Sequence, residues 1–80
     1  MLNKILQEVL KINEVKGYNA FFDYSGHVNN LTVRVYQTIK EGYSINEYIS
    51  IADIYKLKEL HNQLRKLLKE IRWLHQITDT

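Results

Sequence analysis

The hydrophobic residues at the start of the chain recur at the spacing of an amphipathic helix. Between residues 2 and 15 they lie three or four positions apart, with charged residues on the opposite side. The apolar set is Leu2, Ile5, Leu6, Val9 and Ile12, widened by Leu10. Gly17 follows at a position where a left-handed residue most readily ends a helix. The pattern therefore predicts a first helix over residues 2–15.

The period then changes to two, which is typical of a strand with one buried face. Residues 18–24 predict a first strand that places Tyr18, Ala20, Phe22 and Tyr24 together and Phe21 on the other face. Residues 31–36, extended at most to Thr38, predict a second strand whose inward face is Leu31, Val33 and Val35. The segment between the strands, residues 25–30, holds the glycine and asparagines that tolerate turn conformations.

A weaker alternation predicts a third strand over residues 43–49, after a turn at Lys40-Glu41-Gly42. Glu47 interrupts the apolar pair of Ile45 and Ile49, so we expect a bulge or an edge position there. Ser50 to Asp53 fits a capping box, in which the Ser50 hydroxyl and the Asp53 carboxylate each accept a backbone N–H. A second helix should follow directly.

The second helix should run to about Gln76, because alternating three- and four-residue steps persist through Leu57, Leu60, Leu64, Leu67, Ile71 and Leu74. About 25 helical residues span roughly 38 Å, whereas a six-residue strand spans about 20 Å. The end of the helix should therefore extend past the sheet. The heptad-like spacing favours a homodimer through Leu64, Leu67, Ile71 and Leu74; the alternative is a core stripe with a frayed end.

The element order predicts an α+β fold: α-β-β-β-α, a three-stranded antiparallel meander with both helices on one face. Residues 1–80 should form a single domain with a small core. The chain has no cysteine, which excludes disulfides and thiolate metal sites and suits a reducing compartment. We find no charged leader and no apolar run long enough to cross a bilayer. We therefore expect a cytoplasmic protein with no membrane partner.

The formal charge of +2 does not by itself indicate a nucleic-acid partner, but the charge is unevenly distributed. Residues 1–50 carry five basic and five acidic side chains, and residues 51–80 carry six and four. All six basic residues lie between Lys56 and Arg72. An alternative function is therefore nucleic-acid binding, weakened steeply by salt, through Lys58, Arg65, Lys66, Lys69 and Arg72.

Six tyrosines in 80 residues is a high count, and tyrosine is frequent in recognition surfaces. If both helices cover the Leu31 face, Arg34 and Tyr36 point to an open sheet surface, with Tyr48 beside them. We expect partner binding there, although the strand propensity of tyrosine explains the count equally well. Trp73, among lysines and arginines on the outward face of the second helix, is a further candidate anchor. The alternative is that the aliphatic stems of these lysines and arginines, or a partner subunit, cover the Trp73 ring.

The sequence contains no catalytic, cofactor-binding or metal-binding motif, so we expect neither an enzyme nor a cofactor. The three glycines are isolated and form no phosphate loop. His27, His61 and His75 are too far apart to share a metal and should be surface or boundary residues. Asp23, Ser25 and His27 have the residue types of a nucleophile site, but neighbours on a turn seldom point at one another.

Ser25-Gly26-His27 ahead of the strand LTVRVY, together with the element order, resembles a double-stranded RNA-binding domain. That family also has a Gly- and His-containing loop between its first two strands, and it opens its second helix with lysines that grip phosphates. Here that position reads Ile51-Ala52-Asp53-Ile54-Tyr55-Lys56, and the basic residues come later, from Arg65 to Arg72. The resemblance thus covers the topology and one loop.

The segment NAFFDYSGHVNNLTVRVY, after a short helix, resembles small uncharacterised proteins encoded by phages and prophages of Gram-positive bacteria. These share an aromatic-aspartate-aromatic-Ser-Gly-His-Val core followed by a V-R-V/I-Y strand, and the match covers about residues 5–36. The resemblance implies an accessory protein of the bacterial host cytoplasm that binds and inhibits or redirects a host factor, such as a restriction or CRISPR defence system. We therefore expect a non-enzymatic protein-binding module, dimeric, with a host protein as its partner.

Overall fold

The computed structural model describes residues 1–38, 42 and 44–78, with side chains described as far as residue 73. Its elements are helix α1 (Leu2–Asn13), strands β1 (Tyr18–Ser25), β2 (Asn30–Gln37) and β3 (Ile45–Ser50), and helix α2 (Ile54–Thr78). The strands form one antiparallel sheet in the order β1-β2-β3. This confirms the predicted α-β-β-β-α fold. Lys40, Glu41 and Tyr43, which belong to the predicted turn and third strand, lie outside the described residues.

The sheet buries one face under the two helices. Leu31, Val33 and Val35 of the central strand are fully buried, as the alternation predicts. The other buried core residues come from all four remaining elements; they are Ile5, Val9, Ile12, Ala20, Ile45, Ile49, Leu57, Leu60, Leu64, Leu68 and Ile71. Since both helices supply apolar residues to this one cluster, they lie on the same side of the sheet and leave its other side open.

Glu47 lies on the buried face but on an edge strand. Glu47 pairs with Val33, and the register is uninterrupted from Ile45 to Ser50, so the strand contains no bulge. From the outer strand its half-buried side chain can still reach water. Of the two explanations that the sequence left open, the edge position is the one confirmed.

Helix α1 ends at Asn13, two residues before the predicted end, and the Asn13 side chain then binds the neighbouring strand. Its Nδ2 donates to the Ala20 carbonyl oxygen at 2.7 Å, and its Oδ1 accepts from the Ala20 N–H at 2.7 Å. The side chain thereby supplies both hydrogen bonds that a further strand would give to Ala20. Gly17, with φ +91°, makes the turn that brings the two elements together.

The predicted capping box is not formed at the start of α2, although both of its side chains accept a hydrogen bond from a backbone N–H. The Asp53 carboxylate accepts from the Lys56 N–H at 3.2 Å, which makes Asp53 the residue that caps the helix. The Ser50 hydroxyl accepts from the Ala52 N–H at 3.4 Å and so shapes the turn that precedes the cap. The two side chains therefore act in sequence along the turn rather than as one reciprocal box.

Two positions of the predicted apolar stripes differ from expectation. Leu68, not Leu67, is the buried residue after Leu64, and Leu67 is only partly buried. A straight helix has 3.6 residues per turn, so a strict 3.5-residue seam drifts off the buried side by about 20° per heptad. Leu10 does not widen the stripe of α1, because its side chain is exposed.

Candidate functional site

The open side of the sheet carries the candidate binding surface, which we call the open face. The antiparallel register places side chains from all three strands next to one another there. Phe21 of β1 lies opposite Arg34 of β2, which in turn lies opposite Asn46 of β3. Both helices in the described part of the chain pack against the other side of the sheet, so neither of them covers these residues.

An aromatic pair occupies the β1–β2 part of the open face. The ring centroids of Phe21 and Tyr36 are 5.7 Å apart with an interplanar angle of 19°, which is a stacked arrangement. Such diagonal pairs between adjacent strands stabilise the sheet. Phe21 nevertheless remains 52% exposed. The pair therefore presents a preformed apolar surface to solvent.

Tyr48 extends this surface onto β3, with 68% of the residue exposed. It lies opposite Thr32 in the register, and its hydroxyl accepts a hydrogen bond from the Asn30 side-chain amide. That bond holds the ring in place over the sheet. Among the described residues, the Arg34 guanidinium has no carboxylate within salt-bridge distance. The open face thus combines three aromatic rings with an available cation.

The structure brings together three of the four predicted partner-binding residues. Arg34, Tyr36 and Tyr48 share the open face as the sequence predicts. Trp73 is 61% exposed but lies on α2, which packs on the opposite side of the sheet, so it is not part of this surface. Phe21 was not among the predicted site residues, although the period of two already placed it on the outer face.

A second surface runs along the outward side of α2. Lys58, Arg65, Lys69 and Arg72 are exposed and separated by seven, four and three residues, which places them on one side of the helix. We call these four residues the basic stripe. The acidic residues Glu59 and Glu70 lie on another side, next to β3. Lys66 is also on the β3 side, so the structure separates it from the other four predicted nucleic-acid-binding residues.

The predicted self-association residues divide into three groups. Leu64 and Ile71 are fully buried within the single chain, so they are core residues and offer no surface to a second copy. Leu67 is partly buried. The side chain of Leu74 lies outside the described residues. A homodimer remains a prediction, but Leu64 and Ile71 are not the residues that could form it.

The side chains considered as a nucleophile site do not come together, and no metal-ligand cluster is found among the described residues. Asp23, Ser25 and His27 are all exposed, and no hydrogen bond joins them. Within residues 1–38 and 44–73, no three His, Cys, Asp or Glu side chains lie close enough to hold a metal ion. None of the helices, as far as they are described, is long and apolar enough to span a bilayer.

His61 is the titratable group with a clear pKa shift in the described part of the chain. Partial burial lowers its pKa below 6.5, and the charges of Arg65 and Lys4 lower it further, while Glu8 opposes the change. These neighbours place His61 between α2 and α1. Its environment is that of a boundary residue, which agrees with the interpretation from sequence.

Comparison of the chain with family models, with curated proteins and with solved structures found no match. The class of this protein is therefore defined by its own fold and surface. It is a small α+β domain with a helix-covered side and an open side that carries exposed aromatic residues.

Proposed function

We propose that the protein is a non-enzymatic protein-binding module that uses its open face to occupy a surface on a partner protein. The observation that carries this proposal is the stacked pair of Phe21 and Tyr36, in which the Phe21 ring is held in place yet 52% exposed. Aromatic residues and arginine are enriched among the residues that dominate binding energy at interfaces. Tyr48 and Arg34 complete such a set.

Preorganisation supports the same conclusion. Binding costs free energy when flexible side chains must be ordered, and rigid side chains reduce this cost. The ring of Tyr36 is stacked, and the hydroxyl of Tyr48 is hydrogen-bonded to Asn30. These aromatic groups would therefore lose little conformational freedom when a partner covers them.

The resemblance of the hairpin to phage proteins suggests where the partner is found. A phage-type accessory protein that works by occupying a surface would inhibit or redirect a host factor, and a defence system is one such factor. On this proposal the partner is a host protein in the bacterial cytoplasm. No chemistry by the small protein itself is needed.

The experiment is a pull-down from a Gram-positive host lysate with the immobilised protein and three variants, each checked for folding by circular dichroism. Wild type is expected to retain a specific protein that Tyr48→Ala and Arg34→Ala lose. The matched control is Tyr55→Ala, because Tyr55 is 83% exposed but lies on α2. Retention of nothing above background, or equal loss in the control, would count against the proposal.

A second candidate function is nucleic-acid binding by the basic stripe. It is favoured by one observation: Lys58, Arg65, Lys69 and Arg72 form an exposed row with no acidic residue on the same side of the helix. Over 14 residues the row spans about 21 Å, enough to follow several phosphates. If all four residues contact phosphates of a duplex, the logarithm of affinity should fall with the logarithm of salt with a slope of about −3.6.

This alternative is tested by fluorescence anisotropy with labelled RNA and DNA at two salt concentrations. Lys69→Gln should weaken binding and reduce the salt slope by about 1. Lys66→Gln is the matched control, since Lys66 lies on the β3 side of the helix. The absence of binding at low salt would remove this candidate and leave the protein-binding proposal untouched.

A further inference from the structure

The side-chain hydrogen bonds of Asn13 fix the direction of the backbone groups in the sheet. Both the N–H and the carbonyl oxygen of Ala20 bond to Asn13, so they point away from β2. In an antiparallel pair these directions alternate from residue to residue. The backbone groups of Phe21 therefore point toward β2, where they meet those of its register partner Arg34.

The same alternation turns backbone groups of β3 toward the outer edge of the sheet. Because the backbone groups of Arg34 point toward β1, those of its other register partner, Asn46, point out of the sheet. The backbone N–H and carbonyl groups of Tyr48, two residues further along, point out of the sheet in the same direction. No hydrogen bond within the described residues occupies these two N–H and two carbonyl groups. An edge of this kind is a template for another strand.

The side of α2 next to this edge carries charges in a self-complementary order. The exposed residues there, three or four positions apart, are Lys56, Glu59, Gln63, Lys66 and Glu70. Against an antiparallel copy of itself, the row places Lys56 opposite Glu70 of the second copy. It also places Glu59 opposite Lys66 of the second copy, with the two Gln63 side chains at the centre. Each of the four charged residues thereby meets an opposite charge.

Gln63, the central residue of this charged row on α2, lies directly beside the middle of strand β3. Gln63 lines a groove with Ile45 and a second one with Ile49, so it lies beside the middle of β3. One two-fold axis can therefore relate both the strands and the helices. An axis at Asn46 would pair the two Asn46 residues with each other and would avoid placing the two Glu47 carboxylates opposite each other.

We propose that two copies of the chain pair through β3, edge to edge and antiparallel, to form a six-stranded sheet with the two α2 helices side by side across the seam. The charge order of the helix selects a second copy of this chain over an unrelated strand. Lys56 also lies 3.9 Å from the Asp53 carboxylate of its own chain, a weak exposed pair, so the charge argument depends mainly on Glu59 and Lys66. The open face of each copy stays uncovered, so this proposal is independent of the proposed function.

The strand contact is tested by sedimentation equilibrium over a concentration series. Asn46→Pro should remain folded, because proline is tolerated on an edge strand where the lost N–H faces outward. It should remain monomeric at concentrations where wild type is dimeric, and the control Asn46→Ala should behave as wild type. A wild type that is monomeric throughout, or equal association of the two variants, would overturn the proposal.

Charge reversal tests the helix contact. Glu59→Lys and Lys66→Glu each place like charges opposite one another twice in the dimer, and each should weaken association about tenfold. The double variant restores both pairs and should associate as wild type does. A mixture of the two single variants should form the heterodimer in preference to either homodimer. A double variant no tighter than the single variants would refute this arrangement.

Discussion

Leu64 lies in the middle of α2, fully buried among core residues of the same chain. Its truncation to alanine removes three carbon atoms and leaves a cavity, because neighbours packed at this density relax only partially. For fully buried leucines the cost is about 3–5 kcal/mol. An 80-residue chain has a total stability of only about 4–12 kcal/mol. Leu64→Ala should therefore retain a small fraction of the stability of the wild type.

The assay is urea denaturation followed by circular dichroism, with thermal unfolding as a second measurement. For a domain of this size each kcal/mol lowers the melting temperature by about 4–8 °C, so the variant should melt at least 12 °C below wild type. Asn62→Ala, at an exposed position two residues away, should change the free energy of unfolding by at most about 0.5 kcal/mol.

A comparison with Leu67 makes this test specific to the fold. The heptad-like pattern treats the two leucines alike, whereas the structure buries Leu64 completely and Leu67 only in part. Leu67→Ala should cost about half as much or less. Equal losses at the two positions, or a loss below about 1 kcal/mol for Leu64→Ala, would refute the packing described here.

Three further predictions concern a hydrogen bond, a backbone conformation and a titration. Asn13→Ala leaves the N–H and carbonyl oxygen of Ala20 without their side-chain partner and should lower the free energy of unfolding by about 1–3 kcal/mol in urea titrations, whereas no change would contradict the edge contact. Gly17→Ala forces a Cβ onto a residue with φ +91° and should cost about 1–2 kcal/mol, while Gly26→Ala meets only an ordinary contact and should be close to neutral in the same assay. Because the pKa of His61 is lowered in the folded state, the unfolded chain binds more protons as pH falls below 6.5. Stability should therefore decrease from pH 7.5 to pH 5.5, and less so in His61→Gln; equal decreases in the two proteins would contradict the assignment.

The proposals assign three different surfaces of this small domain to three different contacts. The open face carries the aromatic residues, the outer side of α2 carries the basic stripe, and the β3 edge with the charged side of α2 forms the proposed dimer contact. The assays separate them because the variants Tyr48→Ala, Lys69→Gln and Glu59→Lys each alter one surface. A partner on the open face and a second copy at β3 can be bound at the same time.

The sequence by itself determined the type and order of the elements and most of the residues that face inward. Periods of about four and two set the helices and strands, and Gly17 and Asp53 set two of the joints. The alternation also placed Arg34, Tyr36 and Tyr48 on one outer face. These features depend on residues close together in the chain, and the local geometry of a helix or strand is sufficient to read them.

Only the tertiary structure decided which residues from distant segments meet. The contact of Asn13 with Ala20, the burial of Leu68 in place of Leu67, and the stack of Phe21 on Tyr36 all depend on how separate elements are placed and rotated. The position of Gln63 beside the middle of β3 also depends on how α2 is placed against the sheet. Spacing along the chain carries no information on the rotation of one element against another, because packing of the whole core sets it.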